Sequence, residues 1–412
     1  AQAILAHAIL DSGTCGPISS SADNSTSCWT AMLPRVCVFG AGGVGGWLGA
    51  RLAEHKAAEV VVIARGEHGA AMRERGLRLQ VLDACTPADG ATRDAMNLLE
   101  LPPSALEVYE SVPDALASGA KPVDFAILGV KTWQVREAAL AVEPLLAPGD
   151  ESCVVTTQNG IGAPGAAREA VGPSRVLGGS CKVNAYVAEP GLVEMAQQAA
   201  TFEFGEVYDA AGNEVKGLVR SSRTQRLATA LGQCKGFTAT SGVAPSGAWS
   251  VIWDKAIAMC CLGPWGAVCR APHSQLLGIP ETRRVLQQLM LEVAMCGSAA
   301  GHLERPEAAV QAVLARLDRL VLEAAPGITA STARDVILGS KSEIFELSGA
   351  ICSAGRKLGV PTPTHEIVLA AVLPQEYRAR GEKPYELQGV PGGAPHVEAS
   401  LPLGKRRKTC QS

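Results

Sequence analysis

The stretch Arg35-Val36-Cys37-Val38-Phe39-Gly40-Ala41-Gly42-Gly43-Val44-Gly45 decides the fold of this chain. Its first half is a short apolar strand. Its second half is a glycine-rich turn that opens a helix expected over 43–56. This order is the context that the spacing G-x-G-x-x-G requires. Gly40 permits the tight turn, and Gly42 lets the backbone approach a pyrophosphate with no Cβ between them. Gly45 lets the helix pack closely on the strand, while Ala41, Gly43 and Val44 complete the loop. The helix start then offers free N–H groups and a partial positive charge to phosphates.

The next strand is expected over 59–65, nearly all Val and Ile, and it ends in Ala64-Arg65-Gly66. Folds that prefer NAD place Asp or Glu at this strand end to hold the ribose hydroxyls. A guanidinium suits a 2′-phosphate instead, because it is planar, permanently charged and able to form paired hydrogen bonds. Arg65 therefore favours NADP(H) as the cofactor. A surface arginine at a strand end is the plainer alternative.

Outward from this turn, strands at 124–130 and 152–157 flank a helical stretch at 133–146. Their continuous β-branched runs suit strands buried on both faces of a parallel sheet. More strand material at 193–206 is placed at the edge of this domain. Beyond 248 the strand pattern ends. Apolar residues recur at helical spacing over 280–296 and Pro306–Glu323, each with a proline in its first turn, and again over 342–358. The fold class is thus an α/β N-terminal Rossmann-type domain followed by an all-α C-terminal domain. The boundaries are set at 32–240 for the cofactor domain and 248–380 for a helical substrate and dimerisation domain, with 236–247 as the linker.

Residues 1–31 contain no Lys or Arg and are rich in Ser, Ala and Thr. Residues 381–412 are rich in Pro and Gly and carry Lys405-Arg406-Arg407-Lys408. Both read as disordered extensions, and a chain from Met32 to Arg380 is expected to fold and bind NADPH. A net charge of −3 creates no strong field for nucleic acid or an anionic membrane. No clean run of apolar residues reaches membrane-spanning length. The 13 cysteines are odd in number and include no C-x-x-C pair. Cys37, Cys153, Cys260, Cys261 and Cys296 lie inside apolar strand or helix patterns. They read as buried reduced thiols of a cytoplasmic protein, with an organellar address left open.

Several short segments, taken in order, resemble the ketopantoate reductase family (2-dehydropantoate 2-reductases) over about 35–376. They are the glycine turn with Ala64-Arg65-Gly66, then Gly129-Val130-Lys131-Thr132-Trp133-Gln134-Val135 with the family's K-x-x-Q, then Gln158-Asn159-Gly160 as its Q/H-N-G. Trp253-Asp254-Lys255-Ala256 follows at the start of the helical domain. Ser331, Asp335 and Ser342-Glu343-Ile344 match S-x3-D…T-E-I, and Gly359-Val360-Pro361-Thr362-Pro363 is a weaker last marker.

The resemblance implies NADPH-dependent reduction of a 2-oxo acid to a 2-hydroxy acid, with ketopantoate to pantoate, in pantothenate biosynthesis, the favoured case. It implies Lys255 as catalytic acid, since hydride arriving at a carbonyl carbon leaves an alkoxide that an ammonium can stabilise and protonate. It makes Glu343 the glutamate that contacts substrate and helps place the lysine. Ser331 becomes the ligand of the substrate carboxylate, and Asn159 lies at the cofactor–substrate junction. Lys131 and Gln134 line the cofactor site. No metal is implied, and a homodimer is compatible. The plainer alternatives are a solvated Lys255, Glu343 as a first-turn acid on its helix and Ser331 as an N-cap.

One departure bears on the substrate. The family commonly carries asparagines four and eight residues after the lysine, where this chain has Met259 and Gly263. Loss of a polar partner weakens discrimination for a polar substrate. Restoring asparagine at both positions is expected to lower the ketopantoate KM. The same departure keeps open a reductase of a different carbonyl or imine. A non-catalytic dinucleotide-binding protein is a third alternative, against which the retention of Lys255 and Glu343 argues.

Overall fold

A computed structural model describes residues 33–82, 98–196, 200–237, 242–323 and 327–382. The extensions expected at 1–31 and, but for Gly381 and Glu382, at 381–412 lie outside the described residues. The described residues begin with β1 (Arg35–Phe39), α1 (Gly43–Glu54), β2 (Glu59–Ile63) and α2 (Gly66–Arg75). It continues through β3 (Leu77–Val81), β4 (Leu98–Leu101), β5 (Glu107–Tyr109), α3 (Val112–Ala117) and β6 (Phe125–Leu128). Next come α4 (Val135–Val142), β7 (Cys153–Thr156), α5 (Ala163–Val171) and β8 (Val176–Lys182). The domain closes with β9 (Ala185–Glu189), β10 (Leu192–Met195), β11 (Thr201–Glu206), α6 (Ser222–Gly232) and β12 (Gly242–Val243).

The main sheet has the order β12-β11-β8-β7-β6-β1-β2-β5, parallel except where β11 meets β8. In register, Val38 pairs with Val62 on one side and Ile127 on the other. The chain leaves β1 towards β2, while β6 lies on the opposite side. The carboxyl ends of β1 and β6 therefore border a crevice at the point where strand order reverses. Residues of β1, β6 and β7 are buried on both faces, which is why these strands read as unbroken apolar runs.

The rest of the described residues form helices: α7 (Ala248–Cys269), α8 (His273–Gly278), α9 (Pro280–Ala299), α10 (Pro306–Glu323), α11 (Ser331–Ile337), α12 (Ala350–Leu358) and α13 (Pro363–Arg380). Helix α7 is the only one among the described residues long and apolar enough to cross a membrane. Here its apolar surface is core. Trp249, Ile252, Trp253 and Ile257 join Val154 and Val176 of the sheet and Leu286 and Leu289 of α9 in one cluster. The two domains thus share a continuous core, which holds the crevice against the helices. The nine described cysteines are free thiols, all buried except Cys269.

Three sequence expectations need correction. The stretch 193–206 is not a single edge element: β10 belongs to a separate sheet of order β4-β3-β10-β9, and β11 lies inside the main sheet. The linker at 236–247 contributes β12, which pairs with β11 and forms the sheet edge. The helix expected over 342–358 begins only at Phe345, as one π turn (Phe345–Gly349) leading into α12. Ser342 and Glu343 stay out of it because their side chains are engaged elsewhere.

Candidate active site

The glycine turn has the geometry its residues suggest. Gly40 has φ +95°, which favours glycine, and its N–H donates to the Ile63 carbonyl at 2.9 Å. A Cβ on Gly45 would stand 2.0 Å from the Gly40 oxygen, so the helix packs on the strand only without one. A Cβ on Gly42 would meet only the Gly129 oxygen, at 3.9 Å, leaving this backbone open to the crevice. Gly42 caps α1 with no side-chain hydrogen bond, and the first turn contains no acid. Uncapped N–H groups at a positive helix end suit a diphosphate, so the residues present fit a dinucleotide. Gly129, which opens the second family marker but was given no role, matters as much: a Cβ there would lie 2.3 Å from the Gly40 oxygen. Arg65 is exposed just past β2, in extended conformation, where it caps α2.

The turns after β6 and β7 carry the next candidates. Lys131 begins a short 3-10 turn, and Gln134 accepts the Lys131 backbone N–H at 3.4 Å, so its carboxamide helps form that turn. Gln158 donates to the carbonyls of Leu128 (2.6 Å) and Val130 (3.1 Å), which ties the two turns together. Asn159 is half-buried, and its carbonyl accepts the Thr132 hydroxyl at 3.3 Å. Gly160 has φ +83°, and a Cβ there would sit 2.5 Å from the Glu346 oxygen. The helical domain therefore touches the Rossmann domain beside these turns.

On the helical side, Glu343 is buried and crosses that contact. Its Oε1 accepts the Thr132 N–H at 3.0 Å and the Thr132 hydroxyl at 2.9 Å. Its other oxygen lies 3.5 Å from the Lys131 ammonium, which also reaches Asp335 at 3.1 Å. Burial alone would lower the Lys131 pKa. The Glu343 and Asp335 carboxylates outweigh it and hold the pKa above its ordinary value.

Lys255 lies on the second turn of α7, half-buried, and donates to the Cys181 carbonyl at 2.7 Å. Burial pushes its pKa down, and the nearby Lys182 adds to this. Cys181, Glu343 and Cys260 pull it partly back. The ion partner of Glu343 is Lys131 rather than Lys255. Asp254 is bound at 2.9 Å through both oxygens by Arg316 of α10, which anchors this part of α7. Ser331 is half-buried at the first position of α11, one turn from Asp335; Ala330, not Ser331, occupies the cap position.

The structure thus brings Lys131, Asn159 and Glu343 together with Thr132 and Asp335, which sequence reasoning assigned no role. Each was quoted in a motif. What their neighbours in the chain did not disclose is that the two motifs meet. Met259 is half-buried one turn after Lys255. Gly263 is buried against α11, where its Cβ would lie 3.1 Å from the Thr332 Cβ and 3.6 Å from that of Ala330. A side chain at 263 therefore fits only if Thr332 gives way by a few tenths of an ångström.

Residues 36–209 match the family described as "Ketopantoate reductase PanE/ApbA", and residues 248–376 match "Ketopantoate reductase PanE/ApbA C terminal". A 2-dehydropantoate 2-reductase of Mesorhizobium japonicum is 27% identical over 360 residues, covering 82% of this chain and 96% of that protein. One from Halobacterium salinarum is 25% identical over 331 residues, covering 80% and 94%. Among solved structures, a ketopantoate reductase from Ralstonia eutropha superposes with a TM-score of 0.64 at 24% identity, covering 84% of this chain and 99% of that one. D-mandelate dehydrogenase with NADH and anilino(oxo)acetate gives 0.66 at 19% identity, covering 85% and 100%. At these identities the solved structures establish the fold.

Proposed function

The chain belongs to the ketopantoate reductase family, as an oxidoreductase that acts on CH–OH groups with a nicotinamide cofactor, and from that premise we propose that it reduces ketopantoate to pantoate with NADPH. The observation that carries the proposal is the half-buried Lys255 ammonium at the domain junction, held by the Cys181 carbonyl at 2.7 Å; burial lowers its pKa. An ammonium has three N–H donors, and one is used on the Cys181 carbonyl. Another is available to bind the substrate oxygen and to protonate the developing alkoxide. Lowering the lysine pKa brings its proton closer to transferable at neutral pH.

NADPH supplies the hydride when bound. The uncapped start of α1 holds its diphosphate, and Arg65 takes the 2′-phosphate. Lys131, Gln134 and Asn159 line the cofactor side of the crevice. Glu343 orders the junction through Thr132 and Lys131, and the Ser331 hydroxyl takes the substrate carboxylate. The α/β domain from β1 to β12 acts as the cofactor domain, and the helices α7 to α13 as the substrate and dimerisation domain.

A second substrate within the same chemistry is favoured by one observation. Met259 places a half-buried thioether, and Gly263 a bare backbone packed against α11, at the two positions where the family's amides stand. NADPH oxidation with a panel of 2-oxo acids distinguishes the two. Highest kcat/KM on ketopantoate supports the first. Highest kcat/KM on an acid with an apolar 2-substituent supports the second, and turnover of none contradicts both.

A further inference from the structure

Ser342, immediately before Glu343, is held by α13 at every polar atom it has. Its N–H donates to both oxygens of Glu376, at 3.2 and 3.1 Å, and its hydroxyl donates to Glu376 at 2.5 Å. Its carbonyl accepts from Arg380 at 3.3 Å. Its hydroxyl oxygen in turn accepts the Ile344 N–H at 3.3 Å. The backbone is therefore pinned on both sides of Glu343. Glu376 has no solvent exposure, and its remaining partner is Arg380, one turn along α13, at 2.7 Å.

A buried carboxylate is a costly way to fix a turn. An apolar contact would pack α13 at least as well. Here the charge directs its hydrogen bonds to one serine, and the constrained neighbour is the glutamate that reaches across to the other domain. We propose that Glu376 is a positioning residue for the reaction, acting through Ser342 to hold the Glu343 carboxylate against Thr132. This rests on the reading that Glu343 serves the active site. Two substitutions break the link for different reasons. Glu376→Gln puts an amide donor against groups that are themselves donors, and Ser342→Ala removes the hydroxyl that joins Glu376 to Ile344.

The test uses the full chain carrying Ser342→Ala, Ser342→Thr, Glu376→Gln and Glu343→Gln, with Ser342→Ala also combined with Glu343→Gln. Two quantities are read: amide hydrogen exchange at Thr132, whose N–H is bonded to Glu343, and kcat on the 2-oxo acid turned over fastest. Ser342→Ala and Glu376→Gln are expected to speed Thr132 exchange about tenfold, as for loss of one hydrogen bond, with exchange in β1 unchanged. They lower kcat about tenfold without weakening NADPH binding, and Ser342→Thr retains both properties. In the Glu343→Gln background, Ser342→Ala adds no further loss. Unchanged Thr132 exchange in Ser342→Ala overturns the proposal, as do losses that multiply in the double variant. Should Glu376→Gln not fold, Ser342→Ala decides, since it removes a single hydroxyl. Normal turnover by Glu343→Gln overturns the reading of Glu343 itself, whereas a slow Glu343→Gln with unchanged exchange in Ser342→Ala overturns only the positioning role.

Discussion

A Cβ on Gly263 would lie 3.1 Å from the Cβ of Thr332, so a side chain on α7 at this point is accepted only if Thr332 of α11 gives way. Met259, one turn earlier on the same face of α7, is half-buried. The two positions that depart from the family's amides are therefore unequal, and restoring both together is no longer the informative experiment.

Met259→Asn alone is expected to keep the fold and to lower the ketopantoate KM about tenfold by returning a hydrogen-bond partner. Gly263→Asn is expected to cost about 1–3 kcal/mol of stability through overpacking against Thr332. Thermal unfolding and steady-state kinetics on the two single variants check this. A Gly263→Asn variant of wild-type stability with a lowered KM contradicts the packing argument.

Arg65 is the candidate ligand for the 2′-phosphate. Arg65→Ala is expected to weaken NADPH binding about tenfold or more, the size of a charge-assisted pair, and to leave NADH binding unchanged. Fluorescence titration with both cofactors measures this. Equal affinity of the wild type for NADH and NADPH, or no effect of the substitution, contradicts the assignment.

His365 at the start of α13 gives a pH prediction. It faces the Ser348 hydroxyl (3.3 Å), the Leu289 carbonyl (3.2 Å) and the Cys261 thiol (3.9 Å), and Glu292 accepts its backbone N–H. Burial holds its imidazole well below the ordinary 6.5, at about 4, although the Glu292 carboxylate and the Leu289 carbonyl oppose this. The unfolded chain therefore takes up the proton first. Stability from this group is complete above 6.5 and is lost as pH falls towards 4. Between pH 7 and pH 5 the loss amounts to about 2 kcal/mol. Denaturant unfolding of the wild type and of His365→Asn at both pH values should show a smaller pH effect in the variant; equal slopes contradict the assignment.

Much of the cofactor half was legible because its signals are local. The β1 run, Gly40, Gly42 and Gly45 lie within eleven residues, and each has a backbone reason to be what it is. The parallel core strands could be recognised by their unbroken apolar runs. The small sheet of β3, β4, β9 and β10 could not, because β3 and β10, which join its two halves, pair across more than a hundred residues of chain and β9 is largely exposed. Thr132, Asp335, Ser342 and Glu376 were likewise invisible in their roles. Each acts through a hydrogen bond or ion pair to a residue far away in sequence, and nothing in the side chain itself announces the partner. The misplaced helix start at 342 has the same origin, since helical periodicity continued through two residues whose side chains are held by other elements.

The central claim is that Lys255 supplies the charge and the proton at the substrate oxygen, and single-turnover kinetics of Lys255→Ala test it most directly. NADPH affinity should stay within about twofold, while the hydride step slows by roughly 100-fold or more, the usual cost of removing a positioned proton donor. Because the acid must be protonated and burial lowers its pKa, the wild-type rate should fall with rising pH before an ordinary lysine would titrate, and the variant should lose that limb. A Lys255→Ala enzyme that transfers hydride at near the wild-type rate, with the same alkaline limb, contradicts the claim.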